Sequence, residues 1–198
     1  VLSVSRNHIE ALPEGLGGVG GALTLLRCDR NALSVLPASV GCCAALVELD
    51  VSNNPRLKSL PKFDFGDNTR GKEKCCFEGG KCDGPSQLRS LRVDGCALEN
   101  VGADIGALHC LSMLRLSNNR LTSLPSELAR LTRLDVLELA GNPLPQVSPE
   151  ILTLVRCAPQ LTEENLPVAQ EVVPGLFIGG IAAGERKFLE IFFVVALL

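Results

Sequence analysis

The sequence predicts an α/β solenoid, a curved stack of short repeats with a parallel sheet on its concave side. Two observations predict it. Asn7, Asn31, Asn54, Cys96, Asn119 and Asn142 recur at spacings of 24, 23, 42, 23 and 23 residues, the longest being one repeat plus 19 extra residues. Around each of these positions the apolar residues alternate with period two, the signature of a short strand with one buried face.

The copies align on these anchor positions. "LTLLRCDRNAL" (23–33), "LVELDVSNNPRL" (46–57), "LRSLRVDGCAL" (88–98), "LSMLRLSNNRL" (111–121) and "LDVLELAGNPL" (134–144) share the frame LxxLxLxx(N/C)xL, and "LSVSRNHI" (2–9) is a late-starting first copy. Leu-Pro pairs follow at Leu12, Leu36, Leu60 and Leu124. This pattern resembles the leucine-rich repeat family, in its short intracellular, Ras-group-related form with LPxxL on the convex side. The resemblance spans residues 2–145 and implies a horseshoe of about six repeats. The physics agrees, because one repeat cannot bury its leucine face alone and a stack can. Asn7, Asn31, Asn54, Asn119 and Asn142 are expected to bond the backbone where the chain leaves each strand, each bond contributing about 1 kcal/mol net. Cys96 takes the fourth anchor position as a structural thiol, an exchange the family accepts.

Repeats are expected over residues 1–147, with a solvated loop insertion at 62–87 rich in Gly, Lys and Asp. "SPEILTLVRC" follows: Ser148 suits an N-cap, Pro149 the first helical position and Glu150 the positive helix end. A capping helix is therefore expected over 148–158, stopped by Pro159, then a linker over 159–170. The chain begins within a strand at Val1–Val4 with no Met and no cap, so it is expected to be a fragment with its N-terminus upstream.

The tail, 171–198, departs from the repeats. In "EVVPGLFIGGIAAGE", residues Val173 to Gly179 with Ala182 and Ala183 resemble the opening strand of a dual-specificity phosphatase domain. That resemblance implies a truncated phosphatase start, its nucleophile, phosphate-binding Arg and general acid all beyond Leu198. "RKFLEIFFVVALL" (186–198) lacks the polar spacing that should follow. The alternative is a hydrophobic hairpin packed on the capping helix.

Composition narrows the function. Net charge is −3, which gives no basic surface for nucleic acid or an anionic membrane. The apolar run Ile191–Leu198 is far too short to span a bilayer. Nine scattered cysteines and ten Asn without one Asn-x-Ser/Thr sequon point to a reducing, cytoplasmic setting.

No constellation carries catalysis. "GDNTRGKE" (66–73) nearly spells a phosphate loop, but Glu73 stands where Ser or Thr must hold magnesium. Cys75, Cys76 and Cys82 lack the fourth ligand and the spacing of a zinc site. "HCLSMLR" (109–115) leaves four residues rather than five between Cys110 and Arg115, and it crosses a repeat strand. No cofactor, metal or enzymatic activity is expected of this chain.

The variable positions beside the strand leucines offer a binding face. Arg27, Arg30, Glu48, Asp50, Arg89, Arg92, Arg115 and Glu138 are the candidate contacts. All seven Phe lie outside the repeats, so no aromatic platform exists for bases or sugars. The reading is a monomeric protein-interaction module from a longer intracellular signalling protein, with a partner protein on the concave face. The alternative is the substrate-targeting region of a leucine-rich repeat dual-specificity phosphatase whose catalytic part is absent.

Overall fold

A computed structural model describes residues 1–16, 22–63 and 87–144, with the backbone of 170–173 and 176–178. Six strands form one parallel sheet in chain order: β1 Leu2–Ser3, β2 Leu25–Arg27, β3 Glu48–Asp50, β4 Ser90–Arg92, β5 Met113–Arg115 and β6 Val136–Glu138. The central leucine of each strand pairs with the next, Leu2 with Leu26, then Leu49, Leu91, Leu114 and Leu137. The register therefore stays constant across the 42-residue step between β3 and β4.

These leucines form the core. Leu26, Leu49, Leu91 and Leu114 are fully buried, and so are Cys28, Val51, Val93 and Leu116 two residues later. Alternation places both sets on one face. A second tier of Leu33, Leu57, Leu98 and Leu121 closes the core below the turns, and Leu36, Val40, Ile105 and Leu128 line its convex wall.

The convex returns are tighter than the α half of the predicted class implies. Among the described residues they are 3-10 helices, at Ala38–Cys42, Ala103–Ala107 and Ser126–Arg130. Each enters from an extended residue, Pro37, Gly102 or Pro125. A five-residue return has room for i→i+3 bonds and little more.

Phe63 corrects the reading of the insertion. It is buried in the core, and its N–H donates to Asp104 Oδ2 at 2.6 Å. Gly41 lies so close to the Lys62 carbonyl that a Cβ would collide with it. Lys62 and Phe63 thus belong to the stack rather than to the loop predicted at 62–87, and one phenylalanine lies inside the repeats after all. The capping helix expected over 148–158 and the linker up to 169 lie outside the described residues. In the tail, β7 Gln170–Val173 pairs antiparallel with β8 Leu176–Ile178, with a register shift between Glu171 and Val173.

Leaving each strand, the chain passes through one left-handed residue before the anchor. These are Arg6, Arg30, Asn53, Gly95, Asn118 and Gly141, with φ between 55° and 71°. Their N–H groups extend the ladder: Arg6 donates to Asp29 O, Arg30 to Ser52 O, Gly95 to Ser117 O and Asn118 to Ala140 O. Gly95 is at home at φ 64°, whereas arginine in this conformation costs about 1–2 kcal/mol.

Each buried anchor then ties two repeats. Asn54 Nδ2 donates to its own Val51 O at 2.7 Å and back to Cys28 O at 3.1 Å, while Oδ1 accepts Leu33 N–H at 3.0 Å. Asn119 repeats this with Leu116 O, Val93 O and Leu98 N–H. Cys96 keeps the cross-repeat donor, its thiol lying 3.4 Å from Val51 O. It offers no amide oxygen, and the preceding turn adjusts to this. That turn has one extra residue, and Leu57 N–H bonds Asn54 O at 3.0 Å instead. Pro55, in the same turn, has no N–H to satisfy.

Two outcomes follow. Leu114→Ala is expected to lose about 2–5 kcal/mol through the cavity it opens, measured by chemical denaturation. An unchanged midpoint would show that the strand register is wrong. Cys96→Asn, although it restores the commoner anchor, is expected not to stabilise, because its amide oxygen would be buried without a donor, a loss of about 1–3 kcal/mol. A clear rise in melting temperature would contradict the role given to the Asn54–Leu57 turn.

Candidate interaction face

The register sorts the concave side chains into columns. Residues following the strand leucines form one column: Arg27, Asp50, Arg92, Arg115 and Glu138, each beside the next. Residues preceding those leucines form the other: Leu25, Glu48, Ser90, Met113 and Val136. Adjacent strands lie about 4.8 Å apart, so neighbours within a column are in side-chain contact range.

The first column joins five of the eight residues expected at the site, and Glu48 joins from the second. Arg27 bonds Glu48 Oε1 through Nε and Nη2, at 3.2 and 3.0 Å. Arg92 Nη1 lies 3.9 Å from Glu48 Oε1 and 3.8 Å from Asp50 Oδ2. Arg115 Nη2 lies 3.2 Å from Glu138 Oε1. The arginines stay open to solvent, with side chains 46%, 34% and 38% exposed at Arg27, Arg92 and Arg115. A partner can therefore reach them.

Two expected residues sit elsewhere. Arg30 is a left-handed turn residue beyond the end of β2, exposed on the rim. Arg89 precedes β4, where its N–H bonds Val47 O, and it too is exposed on the rim. Sequence reasoning missed Ser90, Met113 and Val136, because it weighted charge. The repeat frame could have found them, since they hold the position before each central leucine. Ser90 Oγ lies 3.7 Å from Met113 Sδ, and the three residues form an uncharged strip beside the arginines.

Residues 86–144 match the family model for the leucine rich repeat. These residues are leucine-rich repeats. The same register runs back through β3, β2 and β1, so the described stack is built from one unit. Among solved structures, the chain is similar to a leucine-rich repeat protein of Leptospira interrogans, at 29% identity and a TM-score of 0.49. That match covers 77% of this chain and 39% of the other. It is also similar to a chain in the BIR3–SERK2 complex from Arabidopsis thaliana, at 27% identity and a TM-score of 0.46, covering 66% and 61%. The chain thus spans less than two thirds of either structure. No curated protein matches the sequence.

The stack holds its buried thiols in the protonated form. Burial, with Asp29 and Asp50 nearby, pushes Cys28 up to about 12. Burial, opposed by backbone hydrogen bonds from Asn54 and Asn53 and reinforced by Asp94, pushes Cys96 up to about 11. A nucleophilic cysteine needs the opposite shift. Among the described residues no group of His, Cys, Asp or Glu has the geometry to hold a metal ion.

Asp94, two residues beyond Arg92, is the strained carboxylate of the face. Burial raises its pKa, the Ser117 N–H at 3.0 Å and Arg115 oppose this, and Glu138 and Asp50 add to it. A raised folded pKa means that the native state disfavours the charge. Asp94 therefore contributes stability that is fully present below the carboxylate range and lost as pH rises through its raised value. Asp94→Asn keeps an oxygen for Ser117 N–H. It is expected to be at least as stable as the parent at neutral pH and to flatten the decline that sets in as pH rises above the ordinary carboxylate range. Melting temperature followed across that range checks this, and a variant less stable at neutral pH would contradict it.

Proposed function

We propose that this chain is a protein-interaction module of an intracellular signalling protein, docking a partner segment against its concave sheet. The observation that carries the reading is the charged column Arg27–Asp50–Arg92–Arg115–Glu138, held in register on the sheet and part-exposed along its length. A stack buries its leucines and curves, presenting one row of variable side chains per repeat to a common concavity. Mixed charge suits a polypeptide surface, because complementary charges set register and exclude wrong partners.

Intracellular placement is supported by the cysteine usage. Cys28 and Cys96 are buried as protonated thiols, which fits a reducing compartment. The phosphatase-targeting alternative rests on the resemblance of residues 173–183 alone. The antiparallel pairing of β7 with β8 is equally that of a simple hairpin.

Site-specific photocrosslinking tests the docking reading. A benzoylphenylalanine at Ser112 on the concave rim is expected to capture a cellular protein that the same group at Glu127, on a convex return, does not. The capture should weaken when Arg27 and Asp50 are exchanged for residues of opposite charge. Equal capture from both faces, or capture indifferent to those charges, would remove the concave sheet as the docking surface.

A further inference from the structure

The centre of the concave sheet holds a like-charge pair. Arg92 and Arg115 are direct register partners on β4 and β5. Such neighbours repel, and like charges opposite one another destabilise a sheet. Each guanidinium leans away from the other, Arg92 toward Glu48 and Asp50, Arg115 toward Glu138.

The acids on Arg92's side are already engaged. Glu48 Oε1 takes two hydrogen bonds from Arg27, and Asp50 Oδ1 accepts Ser52 N–H at 3.0 Å. Arg92 is left with ion pairs at 3.8 and 3.9 Å, too long for hydrogen bonds. Its guanidinium makes no hydrogen bond among the described residues. Among the described residues, Nε of Arg92 and Nε of Arg115 are both shielded from water and find no hydrogen-bond partner. Buried donors are nearly always satisfied, so two on adjacent arginines call for a physical explanation.

Building on the concave docking surface, we propose that the Arg92–Arg115 pair receives a carboxylate from an acidic residue of the partner segment, flanked in that segment by an apolar side chain. One carboxylate between the guanidiniums offsets their repulsion and offers acceptors to their solvent-facing terminal N–H groups, the planar fork matching two oxygens at once. Met113 and Val136, in the column alongside, take the apolar neighbour. Methionine's unbranched thioether adapts to such contacts. The surrounding Glu48, Asp50, Asp94 and Glu138 set the charge that fits. A dianionic phosphate meets more repulsion there than a single carboxylate does.

The test uses the 198-residue chain and two labelled peptides, one alternating valine with glutamate and one with glutamine in place of each glutamate. Binding is read by fluorescence anisotropy at low ionic strength, and the binding face by amide chemical shifts. The glutamate peptide is expected to bind at least about tenfold more tightly. Arg92→Gln with Arg115→Gln should erase that preference while circular dichroism stays unchanged. Asp94→Asn, which removes a competing negative charge, should tighten the glutamate peptide. Equal binding of both peptides with shifts on β4 and β5 would overturn the carboxylate site and leave the docking surface standing. Binding with shifts confined to the convex returns would overturn both. No binding of either peptide, or displacement of the glutamate peptide by inorganic phosphate at equimolar concentration, would overturn the carboxylate site.

Discussion

Everything in this stack depends on how the chain leaves a strand. After three extended residues it must turn sharply and leave no backbone group stranded in the core. The anchor asparagine solves this because its amide carries two donors and an acceptor in one plane. It bonds its own turn and also reaches back to the previous repeat, so the unit that closes the turn also fixes the spacing between repeats. Asn54 is fully buried and satisfied on every side, which only a repeating neighbour makes possible. The strands are two or three residues long and would be negligible alone. Tied at one end by this contact, they hold their leucines in line.

Much of this was legible beforehand, and for a physical reason. A repeat forces the same side chain into the same environment each time, so spacing alone identified the anchors and the inward leucines. What was hidden varied in identity from copy to copy. The left-handed position is Arg, Arg, Asn, Gly, Asn and Gly, and no common letter marks it, since the conformation is imposed by the turn rather than chosen by the residue. Arg30 consequently read as a face residue when it is a turn residue. Phe63 was invisible for another reason: a core contact made after the periodic frame ends leaves no periodic signal. Cys96 was readable as a substitution, but the longer turn that accommodates it was not, because it lies one repeat upstream.

The face was legible in charge and illegible in geometry. Composition showed mixed signs. Only the register showed that two arginines stand side by side while the acids around them are shared or already bonded. Parallel pairing makes such coincidences unavoidable, since every residue after a central leucine meets its counterparts on both sides. A solenoid cannot bury its charges, so it arranges them in rows, and each row is a pattern that another polypeptide can match or fail to match.

The constant register between β3 and β4 bears on how such a chain can change. Forty-two residues separate Glu48 from Ser90, against 23 between Ser90 and Met113, yet the strands meet as any others do. The sheet records nothing of the length of the return. Segments can enter behind Phe63 and before Leu88 without altering a side chain on the opposite face. The stack thus separates two kinds of inheritance: the sheet surface is written in fixed columns, and the rear is a margin where material can be added without disturbing the text.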